Sequence, residues 1–151
     1  MATARFLMRF RTPFIGLFAL AVLIPAGQDP WTPEDVLAPA KFAEVVSGKG
    51  EKPPVYYVGF NVLYRSKHIP GAVYAGPGTK PEGIDLLKQA LKDVPRDREI
   101  VLYCGCCPID KCPNLRPAFQ AARDLGFKKV RVLMLPTSFG IDWVEKGYPY
   151  E

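Results

Sequence analysis

Four cysteines stand within nine positions of one another in this 151-residue chain, which contains no others. They are Cys104, Cys106, Cys107 and Cys112, in the stretch VLYCGCCPIDKCPN at 101–114. Closely spaced thiols can form disulfides, hold a soft metal ion, or supply one nucleophile whose neighbours modify its chemistry. The elements that carry the segment help to decide between these chemistries.

The cysteines are predicted to lie between a strand and a helix. Residues 99–103 (EIVLY) form an apolar run typical of a buried strand. Pro117 is tolerated only in the first turn of a helix, so the following helix should begin near Asn114, and Gly126 predicts its end. The apolar face of this helix is formed by Leu115, Ala118, Phe119, Ala122 and Leu125.

Strands and helices alternate along the rest of the chain. Further strands are predicted at 55–58, 72–74 and 130–134, and further helices at 38–46, 81–94 and 138–146. This pattern predicts an α/β domain with three layers, in which helices cover both faces of a mostly parallel sheet. Ligands of such sheets bind beyond the carboxyl ends of the strands, where the cysteine segment begins.

The loop after Cys104 is predicted to bind an anion. Gly105 lets backbone N–H groups point inward, the helix N-terminus adds positive potential, and Lys111 and Arg116 bring positive charge to substrate. We therefore expect the pKa of Cys104 to be lowered. Such a thiolate suits attack on the sulfane sulfur of an anionic donor, with the sulfur then carried as a persulfide. The alternative is a buried thiol without a catalytic role.

Several motifs resemble those of single-domain rhodaneses, the sulfurtransferase family. HIPGA at 68–72, IVLYC at 100–104, DLGFKKVRVL at 124–133 and the W..KGYP signature that ends at Pro149 occur in the family's order. The resemblance covers about residues 34–150. It implies a rhodanese-like fold, Cys104 as the nucleophile, Arg116 as the arginine that closes the loop, and a structural role for His68.

The chain also differs from the usual rhodanese pattern. The loop after Cys104 is longer, and Tyr57 and Gly59 stand where the family has an acidic residue and an arginine. Resembling proteins with longer loops act on phosphate or arsenate. Arg116, however, lies 12 residues after Cys104 and four after Cys112, and neither spacing matches the signature of those enzymes. We therefore rank phosphate or arsenate chemistry last.

The three additional cysteines, Cys106, Cys107 and Cys112, leave three interpretations open. Cys106 or Cys107 could pair with Cys112, or either could resolve an oxidised or persulfidated Cys104. Alternatively, all four thiolates, with Cys104, could bind zinc, copper(I) or an iron–sulfur cluster. The third interpretation is that they only brace an enlarged loop.

The first 27 residues are predicted to be a secretory signal peptide. Arg5, Arg9 and Arg11 precede an uncharged run from Phe14 to Gly27. A signal peptide leads to a periplasmic or secreted protein. The alternative is an uncleaved anchor, which would attach the protein to the membrane. Residues 28–33 form a linker, and 34–151 form the domain. Removing residues 1–27 takes away three of 20 basic and none of 15 acidic residues, which lowers the formal net charge from +5 to +2. Nucleic-acid binding is therefore not expected.

Two functions remain after this reasoning. The first is an exported sulfurtransferase without a cofactor, whose partners are a small anionic sulfur donor and a thiol or other nucleophilic acceptor. The second is a thiol redox or metal-binding protein that uses the four-cysteine loop on the same scaffold.

Overall fold

A five-stranded parallel sheet runs through the part of the chain that the computed structural model describes, residues 29–151. Its order is β1-β5-β4-β2-β3, and the strands are β1 (Val36–Leu37), β2 (Val55–Tyr57), β3 (Val73–Tyr74), β4 (Ile100–Tyr103) and β5 (Val130–Leu133). The helices are α1 (Pro39–Ser47), α2 (Asn61–Ser66), α3 (Pro81–Ala90) and α4 (Leu115–Asp124), followed by a π-helical segment, Gly140–Val144. The predicted α/β architecture is confirmed.

Side chains of the middle strands alternate between two apolar layers, because successive residues of a strand point to opposite faces. On one face, Val101 and Tyr103 of β4 pack with α1 and with Trp143 of the π-helical segment. On the other face, Ile100 and Leu102 pack with α3 and α4. Cys104 continues this second series, so its side chain lies on the α3–α4 side of the sheet.

The structure differs from the prediction at two elements. Strand β1 was not predicted, because its two residues are too few to show a periodic pattern. The helix predicted to reach residue 94 ends at Ala90, ahead of Pro95. The guanidinium of Arg96 donates to the backbone oxygens of Leu91 and Val94, both at 2.8 Å, which satisfies carbonyls in the turn that follows α3.

The chain preceding β1 contacts the domain. Asp29 accepts a 2.5 Å hydrogen bond from Arg116, and the Trp31 ring meets Phe119 edge-on with centroids 5.8 Å apart. The predicted signal peptide lies outside the described residues. Within 29–151, no helix is long and apolar enough to cross a membrane.

Leu102→Ala is predicted to lower the free energy of unfolding by about 2–5 kcal/mol, because it leaves a cavity between β4 and the α3–α4 layer. The Leu102 side chain is fully buried. As a control, Val62→Ala on α2, where the residue is 72% exposed, should change stability by less than about 0.5 kcal/mol. Urea denaturation measures both, and equal effects would contradict the assignment of the core.

Candidate functional site

Cys104 follows β4 directly and is only 3% exposed. Because β4 is the middle strand, its carboxyl end lies between those of β5 and β2. A cavity of about 200 Å³ opens there, lined by Tyr57, Leu63, Ser66, Lys67, Cys104, Gly105, Phe139, Gly140 and Val144. A larger groove of about 520 Å³ at the amino ends of β2 and β4 is lined by charged residues and prolines, without a thiol. The smaller cavity is therefore the candidate site.

The cysteine loop, residues 105–114, is attached to the chain that follows β5. Gly105 has φ +80°, and a Cβ at this position would come within 2.6 Å of the Phe139 Cβ, so only glycine fits. The Phe139 N–H donates to the Gly105 oxygen at 3.0 Å, and the Ile109 N–H donates to the Leu135 oxygen at 3.1 Å. These contacts hold the loop against one wall of the cavity.

Asn114, immediately before α4, connects Cys104 to the loop before α3. It is the one fully buried polar residue of the described chain. Its Oδ1 accepts hydrogen bonds from the Thr79 N–H at 3.2 Å and the Thr79 hydroxyl at 2.9 Å. Its Nδ2 donates to the Cys104 Sγ at 3.6 Å. The amide thus orients the sulfur, a role that the sequence analysis did not assign.

Tyr57 and Gly59 place a hydroxyl near the thiol. A Cβ added to Gly59 would lie 2.7 Å from the Tyr57 Oη and 2.9 Å from the Cys104 Sγ, so the glycine leaves room for both groups. The Tyr57 hydroxyl is buried and has no hydrogen-bond partner in residues 29–151. Burial, and then the neighbouring Cys104, raise its pKa, so it remains a neutral donor. An unpartnered buried hydroxyl in a cavity is a natural contact for a ligand.

The sulfur atoms of the loop form a compact cluster. The Sγ atoms of Cys104 and Cys106 are 3.1 Å apart, and those of Cys106 and Cys107 are 3.3 Å apart. Those of Cys104, Cys106 and Cys112 all lie within 4.8 Å of one another. Each of the four cysteines is a free thiol. Three sulfurs of the predicted set of four therefore converge, and Cys107 stands outside that group.

The predicted lowering of the Cys104 pKa is wrong. A hydrogen bond with the Cys106 thiol, followed by burial, raises the pKa of Cys104 to about 12, although the Cys112 thiol and the backbone N–H of Cys106 act in the opposite direction. A hydrogen bond with Cys104 likewise raises the pKa of Cys112 to about 12. The polar neighbours of Cys104 are mainly other thiols rather than cations, so its neutral form is favoured.

Neither of the two predicted cations lines the cavity. The Arg116 guanidinium donates to the backbone oxygens of Asp110 at 2.7 Å and Cys112 at 3.2 Å, which braces the loop from outside. Lys111 is exposed. Lys67 supplies the positive charge of the cavity lining instead. Substrate binding by Lys111 and Arg116 stays a prediction.

His68 has the structural role that was expected. Its Nδ1–H donates to the backbone oxygen of Tyr64 at 2.8 Å, and the two rings stack with centroids 4.1 Å apart. Its backbone N–H and C=O both pair with Glu151. The histidine therefore fastens the end of the chain to the loop before β3.

The sequence matches the rhodanese-like domain over residues 49–134, which include β2 to β5 and the whole cysteine loop. The chain belongs to this family. No curated protein matches the chain. The matched range includes Cys104 at the end of β4.

Solved structures support the rhodanese fold. The BH2092 protein from Bacillus halodurans is 23% identical, with a TM-score of 0.59 over 76% of this chain and 74% of that one. The Alr3790 protein from Anabaena sp. is 20% identical, with a TM-score of 0.56 over 76% and 90% of the two chains. A single-domain sulfurtransferase from Saccharomyces cerevisiae, RDL2, is 16% identical, with a TM-score of 0.56 over 75% and 90%.

Three residues of the candidate site, Tyr57, Lys67 and Asn114, were not recognised from the sequence. Tyr57 was noted only as a departure from the family pattern, although its aromatic strand neighbours already predicted burial. Lys67 lies just before the HIPGA motif, but only the folded chain brings it to the cavity that Cys104 also lines. The signal for Asn114 was its position before α4, which by itself predicts only a helix start.

The thiol pKa gives a testable pH dependence. Alkylation of Cys104 in the reduced protein should accelerate about tenfold per pH unit from neutral pH, because only the thiolate reacts, and should level off near pH 12. Cys106→Ala removes the largest cause of the raised pKa and should move this profile to lower pH. Cys107→Ala is the control, since Cys107 is not among the causes that raise it.

Iodoacetamide kinetics, with the label assigned to Cys104 by fragmentation mass spectrometry, measure the profile. A wild-type profile that is already flat at pH 7 would contradict the protonated thiol.

Proposed function

We propose that this protein is a rhodanese-type sulfurtransferase that carries sulfane sulfur as a persulfide on Cys104. The observation that carries the proposal is the thiol of Cys104 at the carboxyl end of β4, facing a cavity of about 200 Å³. Membership of the rhodanese-like family supports it, and a sulfurtransferase is among the proteins of the same fold.

The cavity favours a small donor with an anionic end. Within residues 29–151, Lys67 brings the only charged side chain to its lining, and the Tyr57 hydroxyl brings a hydrogen-bond donor without a partner. Leu63, Phe139 and Val144 make much of the remaining lining apolar. Lys67 is exposed and its Nζ lies 4.8 Å from the centre of the Tyr150 ring, so solvent and salt weaken its attraction for an anion in the cavity. A thiosulfate or thiosulfonate group fits this combination.

The transfer follows from the position of Cys104. Its thiolate, formed by loss of the proton to solvent, attacks the outer sulfur of the donor. A new S–S bond forms, and the donor's own bond to that sulfur breaks with its electron pair leaving on the departing anion. An acceptor thiol or other nucleophile then attacks the outer persulfide sulfur, which regenerates the Cys104 thiolate. The Asn114 amide, 3.6 Å from Sγ, stabilises this anion in both steps.

The direct test is an assay of sulfur transfer from thiosulfate to cyanide, in which formation of the product thiocyanate is monitored. Cys104→Ser should abolish the activity, and it should also abolish the adduct of one sulfur atom that mass spectrometry detects on the wild-type protein after incubation with donor. The rate should rise with pH above neutrality, because the pKa of the free thiol is raised. Transfer that survives in Cys104→Ser would remove this residue from the role.

Tyr57→Phe separates substrate binding from folding. It should lower kcat/KM for an anionic donor by about 10- to 100-fold, since a hydrogen bond to a charged group contributes about 1.5–3 kcal/mol. It should leave stability unchanged or raise it, because the hydroxyl is buried without a partner. Steady-state kinetics and urea denaturation measure the two effects. A variant that loses stability but keeps its kcat/KM would contradict the assignment.

Thiol redox chemistry is a second candidate, favoured by the 3.1 Å separation of the Cys104 and Cys106 sulfurs. The Cys106 thiolate would attack the inner sulfur of a Cys104 persulfide, which forms a disulfide and releases hydrosulfide. Counting free thiols before and after donor treatment tests this step. The expected result is the loss of two thiols, both restored by a reductant. Loss of the Cys104 thiol alone would exclude disulfide formation with Cys106.

We further propose that the protein is exported. The support is the N-terminal pattern of three arginines followed by an uncharged run. Intact mass of the protein from an exporting host, before and after reduction, reports removal of residues 1–27 and the number of disulfides. Full-length protein in the cytosolic fraction alone would contradict export.

A further inference from the structure

The cysteine loop contains more thiols than sulfur transfer requires. A persulfide enzyme needs one nucleophile, yet the sulfurs of Cys104, Cys106 and Cys112 meet within 4.8 Å. Two of the three, Cys104 and Cys112, are 3% and 1% exposed. They converge from different parts of the chain, since Cys104 follows β4 while Cys112 comes after the short 3-10 helix Ile109–Lys111.

We propose that Cys104, Cys106 and Cys112 form a three-coordinate thiolate site for a single copper(I) ion. Metal–sulfur bonds of about 2.3 Å in a trigonal plane place the sulfurs about 4 Å apart. The observed cluster is close to this arrangement. The Cys104–Cys106 separation of 3.1 Å must widen, which a rotation of the half-buried Cys106 side chain provides.

The surroundings favour copper(I) over zinc. Soft thiolate sets select copper(I), zinc or iron–sulfur clusters. A zinc ion bound by three residues completes a tetrahedron with water or a fourth ligand. Here the space beside the cluster measures only about 10 Å³, at the lower limit of what one water needs. Ile109, Leu115, Leu133 and Leu135 make most of its other walls apolar, and Gly105 and Cys107 complete the lining. Cys107 also lines this space, and its Sγ lies 3.3 Å from that of Cys106, but it does not belong to the set of sulfurs that all lie within 4.8 Å of one another.

The close sulfur spacing also argues against an iron–sulfur cluster. Each cysteine of a 4Fe–4S cluster binds a different iron, and each iron of a 2Fe–2S cluster takes two cysteines. Among any three such ligands at least two therefore bind different irons and stand farther apart than ligands of one ion. Sulfurs that all lie within 4.8 Å fit one ion. Binding forms three copper–sulfur bonds and releases the three thiol protons to solvent, without a change in oxidation state. The Asn114 amide, already directed at the Cys104 Sγ, partly offsets the negative charge of the complex.

Copper(I) and the persulfide compete in this arrangement, because both occupy the Cys104 sulfur. This consequence rests on the proposed function, whereas the copper site itself does not. Persulfide formation is measured on metal-free protein and copper binding on protein without a sulfur donor. The failure of one proposal therefore leaves the other intact.

The test is an anaerobic titration of the reduced, metal-free full chain with copper(I), in competition with a colorimetric copper(I) chelator. One equivalent should bind, and X-ray absorption should show three sulfur neighbours at about 2.3 Å. Cys112→Ser should weaken binding by more than the about 10–100-fold typical of groups outside the metal's own ligands. Cys107→Ser is the matched control and should bind as the wild type does.

Several outcomes would overturn the copper site. They are the absence of stoichiometric binding in the wild type, two sulfur neighbours instead of three, or an equal loss in Cys107→Ser and Cys112→Ser. Tight binding of one zinc ion that requires Cys107 would assign the loop to a four-thiolate zinc site instead. Circular dichroism of each variant distinguishes loss of metal binding from loss of folding. The X-ray absorption spectrum is measured on the wild type and tests the site even if a variant fails to fold.

Discussion

The side chain of Asn114 joins the three segments from which the site is built. The Asn114 Oδ1 accepts hydrogen bonds from Thr79 in the loop before α3, and the Nδ2 is directed at the Cys104 Sγ. The backbone of Asn114 precedes α4 directly. A buried amide is stable only when its polar atoms are paired, so its position depends on all three segments at once. The loop before α3 must therefore fold correctly for the nucleophile at the end of β4 to be oriented.

The close approach of backbones around this amide explains why small residues surround it. A Cβ at Gly78 would lie 2.0 Å from the backbone oxygen of Asn114. A Cβ at Gly59 would collide with both the Tyr57 hydroxyl and the Cys104 sulfur. Such contacts tolerate no side chain without movement of the backbone. The absence of a Cβ at Gly59 and Gly78 is therefore as necessary to the site as the reacting groups are.

The sequence predicted the architecture because apolar runs and helical periodicity record burial directly. The segments around β2, β4, β5, α1 and α4 were recognised in this way, and the two residues of β1 were too few for any period. The Cys104 pKa depends instead on which groups the loop brings to the sulfur. A pattern of glycine, lysine and arginine indicated an anion-binding loop, but the folded loop presents other thiols to Cys104 and turns Arg116 toward backbone oxygens. Contacts between side chains distant in sequence produce no periodic pattern, so the sequence did not predict them.

Arg116 also connects the cysteine loop to the start of the described chain. Its guanidinium bonds loop carbonyls on one side and the Asp29 carboxylate on the other, while Trp31 lies beneath it with its ring centroid 5.7 Å from the guanidinium carbon. Asp29, the first described residue, therefore lies beside the loop that carries the thiols. A substitution at Asp29 or Trp31, distant from the thiols in sequence, would therefore act on the loop directly, through one ion pair or one aromatic contact with Arg116.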